Sequence, residues 1–164
     1  MRITTILLLL SHLLFAQEVI EAIYKKAYSD ITLAFTAKNI HFKCSVAGIK
    51  TVSSAIADPN LKSSCLLNLV SFQHAVPLQK HSSELLLHDY ITYHVEPVNQ
   101  IHCKVYLNAG KTYAQKLLEL GYAKVDTKQK LDPLYMLDLK RSQKKAMNEN
   151  KGIWKKKEWQ QCVN

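Results

Sequence analysis

An α+β domain wrapped around a small β-barrel is what this 164-residue chain is expected to form. Three features point that way. Five short segments alternate apolar and polar residues with the period of two that a half-buried strand requires. Helical segments are inserted between the later strands and follow the last of them, a layout that suits a barrel with attached helices. The composition is that of a globular domain, 48% hydrophobic and 21% charged, without internal repeat or low-complexity tract.

Residues 1–16 (MRITTILLLLSHLLFA) read as a secretory signal: Arg2, an apolar stretch from Ile6 to Leu14, then Ala16 before Gln17. The rival reading is an uncleaved anchor. A spanning helix needs roughly 20 apolar residues, and Gln17 and Glu18 end this run too early. The rest of the chain is therefore expected to be exported, periplasmic or extracellular, with no transmembrane segment. Residues 17–155 form the expected domain and 156–164 a basic C-terminal tail.

Strand signals come first. Val19–Ile23 is apolar, Ile31, Leu33 and Phe35 alternate, and Phe42, Cys44 and Val46 alternate again, with a hairpin turn at Asn39 between the last two. Asp58-Pro59-Asn60 breaks the chain. Ser64–His74 suits a buried helix, and a second helix near Gln79–His88 is expected to turn Leu85, Leu86 and Leu87 inward. Tyr90–Val95 and His102–Leu107 read as strands. Thr112–Leu120 is a short helix stopped by Gly121. Asp132-Pro133 opens the last helix with a cap and a proline at its first position, and Tyr135, Leu139, Ser142 and Ala146 share one face before Gly152.

Two stretches carry a resemblance. Residues 110–125 (GKTYAQKLLELGYAKV) with the later Gly152-Ile153-Trp154 are similar to the staphylococcal nuclease (thermonuclease) family, in which a short helix leads to a G-x-A-x-V strand and the last helix ends at G-I/L-W. Upstream, Ser45-Val46-Ala47-Gly48-Ile49-Lys50 sits where the family writes R-L-x-G-I-D. The resemblance spans roughly residues 19–155. It implies a five-stranded oligonucleotide-binding (OB) fold barrel with about three helices.

It also implies a site. The family hydrolyses phosphodiesters with a calcium ion held by aspartates, a glutamate that positions water, and two arginines on the transition state. Bidentate guanidinium groups match the charge on non-bridging oxygens better than an ammonium does, and the hard cation needs oxygen ligands. Position by position, the first arginine falls on Ser45, a ligand aspartate on Lys50, the glutamate on Ser53 and the second arginine near Ile101. Asp30 alone matches a metal-binding aspartate. The nucleotide-contacting tyrosines fall on Thr127 and Gln129. After the leader the chain keeps one arginine, Arg141, against twenty lysines. Catalysis of this type is therefore expected to be absent, and no cofactor is expected unless the chain is a working nuclease, which would need calcium.

What remains is charge. Without Arg2 the formal charge falls from +9 to +8, which suits nucleic acid or another polyanion; a solvated lysine-rich surface is the plain alternative. Residues 124–164 hold eleven basic side chains against five acidic ones. The candidate contacts for DNA or RNA are Lys140, Arg141, Lys144, Lys145, Lys155, Lys156, Lys157 and Trp159, with Trp159 and Tyr135 able to stack on bases if exposed. A protein-interaction module of the envelope is the alternative function, and a divergent secreted calcium-dependent nuclease the third. Four cysteines in an oxidising compartment favour two disulfides with three possible pairings. Cys44 with Cys103, both in expected barrel strands, would leave Cys65 for Cys162.

Overall fold

The computed structural model describes residues 18–108 and 110–163. The expected signal, residues 1–16, lies outside them. Strands β1 (Ile20–Ala27), β2 (Thr32–Ala37) and β3 (Ile40–Val46) form an antiparallel meander, and β5 (Thr92–Pro97) and β6 (His102–Tyr106) close it into a five-stranded barrel in the order β1-β2-β3-β6-β5. Only β3 and β6 run parallel. The β2–β3 turn is made by Lys38 (φ 46°) and Asn39 (φ 66°), the left-handed pair that a two-residue hairpin needs. Strands β4 (Ile49–Thr51) and β7 (Ala123–Val125) pair outside the barrel as an antiparallel ribbon.

The helices are α1 (Val52–Ile56), α2 (Ser63–Ala75), α3 (Ser82–Leu86), α4 (Tyr113–Glu119), α5 (Pro133–Asn148) and α6 (Lys157–Cys162), with 3-10 turns at Pro77–His81 and Gly152–Lys155. Six helices thus replace the three expected. Helix α1 is a single turn, too short to show a 3.6-residue period, and is started by Thr51 and Ser54 capping each other's backbone N–H groups. The same device at Thr112 and Gln115 starts α4, and Asp132 caps α5 by accepting from Tyr135 N–H at 2.9 Å.

The expected tail is folded. Trp159, Cys162 and Val163 are buried, the Trp159 ring meets Phe72 of α2 edge-on at 5.1 Å, and Cys162 is bonded to Cys65. Three lysines in a row hide the amphipathic turn that follows them. A second disulfide joins Cys44 of β3 to Cys103 of β6, so both bridges follow the expected pairing. Of the three consecutive leucines only Leu87 is fully buried; Leu85 points to solvent because the helix is a single turn with one inward position.

The barrel is filled by Leu33, Phe35, Val46, Val95 and Val105, and is closed at one end by Tyr113, Leu117 and Leu118 of α4. Gly121 and Gly152 have positive φ, and a Cβ on either would overlap the backbone of the other's turn. Ile153 N–H donates to Gly121 O at 2.9 Å. This contact sets α5 against the β7 ribbon. Among the described residues no helix is long and apolar enough to cross a membrane.

Candidate functional site

Asp30 sits in the β1–β2 turn, 5% exposed. Its Oδ1 accepts from Thr51 Oγ1 at 2.9 Å and its Oδ2 from Gln79 Nε2 at 2.8 Å. The same Gln79 amide reaches Ser53 Oγ at 3.3 Å, and the Tyr113 hydroxyl donates to the Asp30 carbonyl at 2.9 Å. Burial holds the Asp30 carboxyl above the usual carboxylate range, while hydrogen bonds from Thr51, Ser53 and Gln79 work the other way. The metal-type aspartate and the Ser53 position are therefore gathered around a neutral amide. Gln79 went unnoticed in the sequence because a glutamine forty-nine positions from its partner carries no local signal.

Ser45 and Ile101 are also neighbours. Ser45 N–H donates to Ile101 O at 2.8 Å where β3 meets the entry of β6. Ser45 is half-buried and Ile101 is 64% exposed. Lys43, two residues before Ser45 and so on the same strand face, lies 3.9 Å from the Tyr28 ring centroid; Lys26 lies 4.7 Å from it. Contact with Lys43 and the charge of Lys26 hold the exposed Tyr28 phenol below its ordinary pKa.

Lys50 takes no part in the Asp30 cluster. Thr51 reaches inward to Asp30, so its strand neighbour Lys50 faces the other way, across the ribbon from Lys124. Thr127 is exposed, while Gln129 Oε1 accepts Gly48 N–H at 2.9 Å and so holds a turn. Among the described residues no three His, Cys, Asp or Glu side chains gather where a metal ion could sit.

The basic residues divide. Lys140, Arg141, Lys144 and Lys145 are exposed along α5, with Arg141 Nη1 at 3.2 Å from Asp138 and Lys145 Nζ at 3.9 Å from Glu119. Lys155, Lys156 and Lys157 are exposed where α6 begins. The two aromatic rings are not available for stacking: Trp159 is 4% exposed and Tyr135 8%. Trp159 fills the α2–α6 seam and Tyr135 faces Thr112, its hydroxyl 3.5 Å from the threonine oxygen. Of the apolar run Cys65–Phe72, only Leu69 and Phe72 are fully buried; Leu66, Leu67 and Val70 are exposed on α2.

The family model described as staphylococcal nuclease homologue matches residues 79–156, from Gln79 through Lys156. No curated protein matches the chain.

Proposed function

Since this chain belongs to the staphylococcal nuclease-like domain family, we propose that it is an exported domain that binds nucleic acid or another polyanion without cleaving it. The observation that carries this reading is Asp30: both carboxylate oxygens accept from neutral protein groups, and the side chain is 5% exposed. A calcium ion takes six to eight oxygen ligands. Here it would have to displace the Gln79 amide, and the other family positions offer a serine and a lysine. The donor set does not fit the ion.

The transition state is equally unserved. Ser45 and Ile101 occupy the guanidinium positions, and Arg141 is engaged with Asp138 on α5. Loss of one such donor typically costs 10²–10³ in rate, and here two are absent. Binding is supported by the exposed lysines of α5 and of the α6 start, which suit a sequence-blind, salt-sensitive contact with phosphates. Two disulfides fit an oxidising compartment.

Purified chain, incubated with duplex and single-stranded DNA at low and moderate salt with and without calcium, tests the reading. Retention without cleavage is expected. Calcium-dependent digestion that disappears in Asp30→Ala would return the chain to the working nucleases. Absence of retention at low salt would end the polyanion reading.

A second reading has its own observation. Leu66, Leu67 and Val70 are 40%, 72% and 36% exposed on α2, a patch that suits a protein partner. A stoichiometric cross-linked partner, lost in Leu67→Lys, is the outcome that favours it.

A further inference from the structure

Lys50 of β4 and Lys124 of β7 are directly opposed across the ribbon. Such a register places Cβ atoms about 5 Å apart, and like charges so placed destabilise a sheet. Both side chains are half-buried. The ribbon, the segment after β7 and the α5 face enclose a cleft of about 500 Å³, lined by Lys50, Lys124, Lys128, Lys140, Asp126 and Gln143 among others.

Four ammonium groups therefore face one carboxylate. That carboxylate is committed elsewhere: Asp126 Oδ1 accepts Lys128 N–H at 3.0 Å and Oδ2 accepts Gln129 Nε2 at 3.2 Å. The Gln143 carbonyl oxygen accepts Val125 N–H at 2.8 Å. Lys124 Nζ donates to Gln160 O at 3.2 Å, which fixes it from the α6 side. Burial, and after it the neighbouring Lys50 charge, hold the Lys124 ammonium below its ordinary pKa. A concave site lined by one sign of charge concentrates counter-ions, and a bound anion offsets the repulsion between the paired lysines.

We propose that this cleft is a binding site for a phosphate group, held by Lys50 and Lys124 from the ribbon, Lys128 from the segment after it and Lys140 from α5. A phosphate monoester carries about −1.5 to −2 charge and three strong acceptor oxygens, which match several converging ammonium groups. A carboxylate brings one charge and two oxygens. Lysine, a compact point charge, suits a ligand approached from several sides. The site stands apart from the exposed α5–α6 surface, sharing only Lys140 with it, and does not depend on long nucleic acid binding there.

The test uses the full purified chain with inorganic phosphate as probe, ionic strength held constant with chloride. Saturable amide shifts at Lys50, Lys124 and Asp126 and a rise in Tm beyond the chloride control are expected. Lys50→Gln should weaken phosphate at least tenfold while raising the Tm of the ligand-free chain at low salt, because it removes the like-charge pair. Lys25→Gln, a charge-matched change on β1 outside the cleft, should do neither. Equal effects of phosphate and chloride, or unchanged phosphate affinity in Lys50→Gln, overturn the site. Short oligonucleotides with and without a 5′-phosphate then separate the sources: preference for the phosphorylated form assigns a monoester, equal Lys50-dependent binding assigns the diester backbone. Long-duplex retention, measured separately on Lys50→Gln, reports on the α5–α6 surface, so failure of one reading leaves the other standing.

Discussion

The Ser45 backbone N–H donates to the Ile101 carbonyl at 2.8 Å, so the two positions that carry guanidinium groups in thermonuclease-type domains are adjacent. The scaffold of that pocket survives with a hydroxymethyl and a butyl group in place of two cations. The double variant Ser45→Arg/Ile101→Arg is therefore expected to fold within about 1 kcal/mol of the parent, since Ile101 is exposed and Ser45 only half-buried. It should remain without calcium-dependent cleavage, because Asp30 stays closed beneath Gln79 and Thr51. Release of acid-soluble nucleotide by this variant would show that the arginines alone had been missing.

Asp30 also gives the fold a pH signature. Its folded pKa is raised above the reference value of 3.8, chiefly by burial. The folded chain therefore holds this proton more tightly than the unfolded one, and the stability it contributes is present below about pH 3.8 and lost as pH rises through the folded pKa. Each unit of upward shift corresponds to about 1.4 kcal/mol. In Asp30→Asn, whose carboxamide can still accept from Gln79 and donate to the Thr51 hydroxyl, this part of the decline should vanish. Urea midpoints of parent and variant across pH 3 to 8 measure it; parallel curves would refute the buried-acid account.

How much of this could be read from the chain follows the range of the signal. The barrel strands show their period of two, and Asn39 and Gly121 mark turns by backbone need, so these were legible. Asp132-Pro133 announced α5 in the same way. Helix α1 was not, because one turn has no period, nor was α6, where Lys155–Lys157 conceal the buried Trp159 and Cys162 beyond them. The altered pocket was visible as Ser45, Lys50, Ser53 and Ile101, since substitutions at motif positions need no coordinates. Gln79 over Asp30 and Lys50 against Lys124 were invisible, because each pair is made by tertiary approach of distant segments.

The Cys65–Cys162 bridge ties α6 to α2 over 97 residues of chain. In the chain-entropy model a loop of this size is worth roughly 4 to 5 kcal/mol. Cys65→Ser/Cys162→Ser should lose stability of that order and free α6 first, since that helix has only six residues. Trp159 then leaves Phe72, and its emission should shift to longer wavelength at denaturant concentrations where the barrel, followed by far-ultraviolet circular dichroism, is intact. Coincident transitions at the parent's midpoint would contradict this assignment.

Tyr28 is set apart from the other tyrosines by Lys43 and Lys26, which favour its phenolate. Burial pushes Tyr24 and Tyr122 the other way, and drives Tyr135 up to about 12. An absorbance titration near 295 nm should therefore show one phenol ionising ahead of the rest. That early step should disappear in Tyr28→Phe and move to higher pH in Lys43→Gln. An early step that survives Tyr28→Phe would belong to another ring.

The salt dependence of polyanion binding separates contact lysines from merely exposed ones. Each phosphate neutralised on duplex DNA adds about 0.9 to the slope of log affinity against log salt. Lys155, Lys156 and Lys157 are exposed at the start of α6, held by the bridge and by Trp159 rather than trailing as a mobile tail. Lys156 Nζ also rests 4.7 Å from the Trp159 ring centroid, so its departure costs some packing and its contribution to binding is the least clean of the three. Lys155→Gln/Lys157→Gln is the sharper variant: it should lower the slope by about 1 to 2 with Tm unchanged. A slope equal to the parent's would assign these lysines to solvent and shift the contact to Lys140, Arg141, Lys144 and Lys145, whose replacement in the same assay must then account for the whole salt effect.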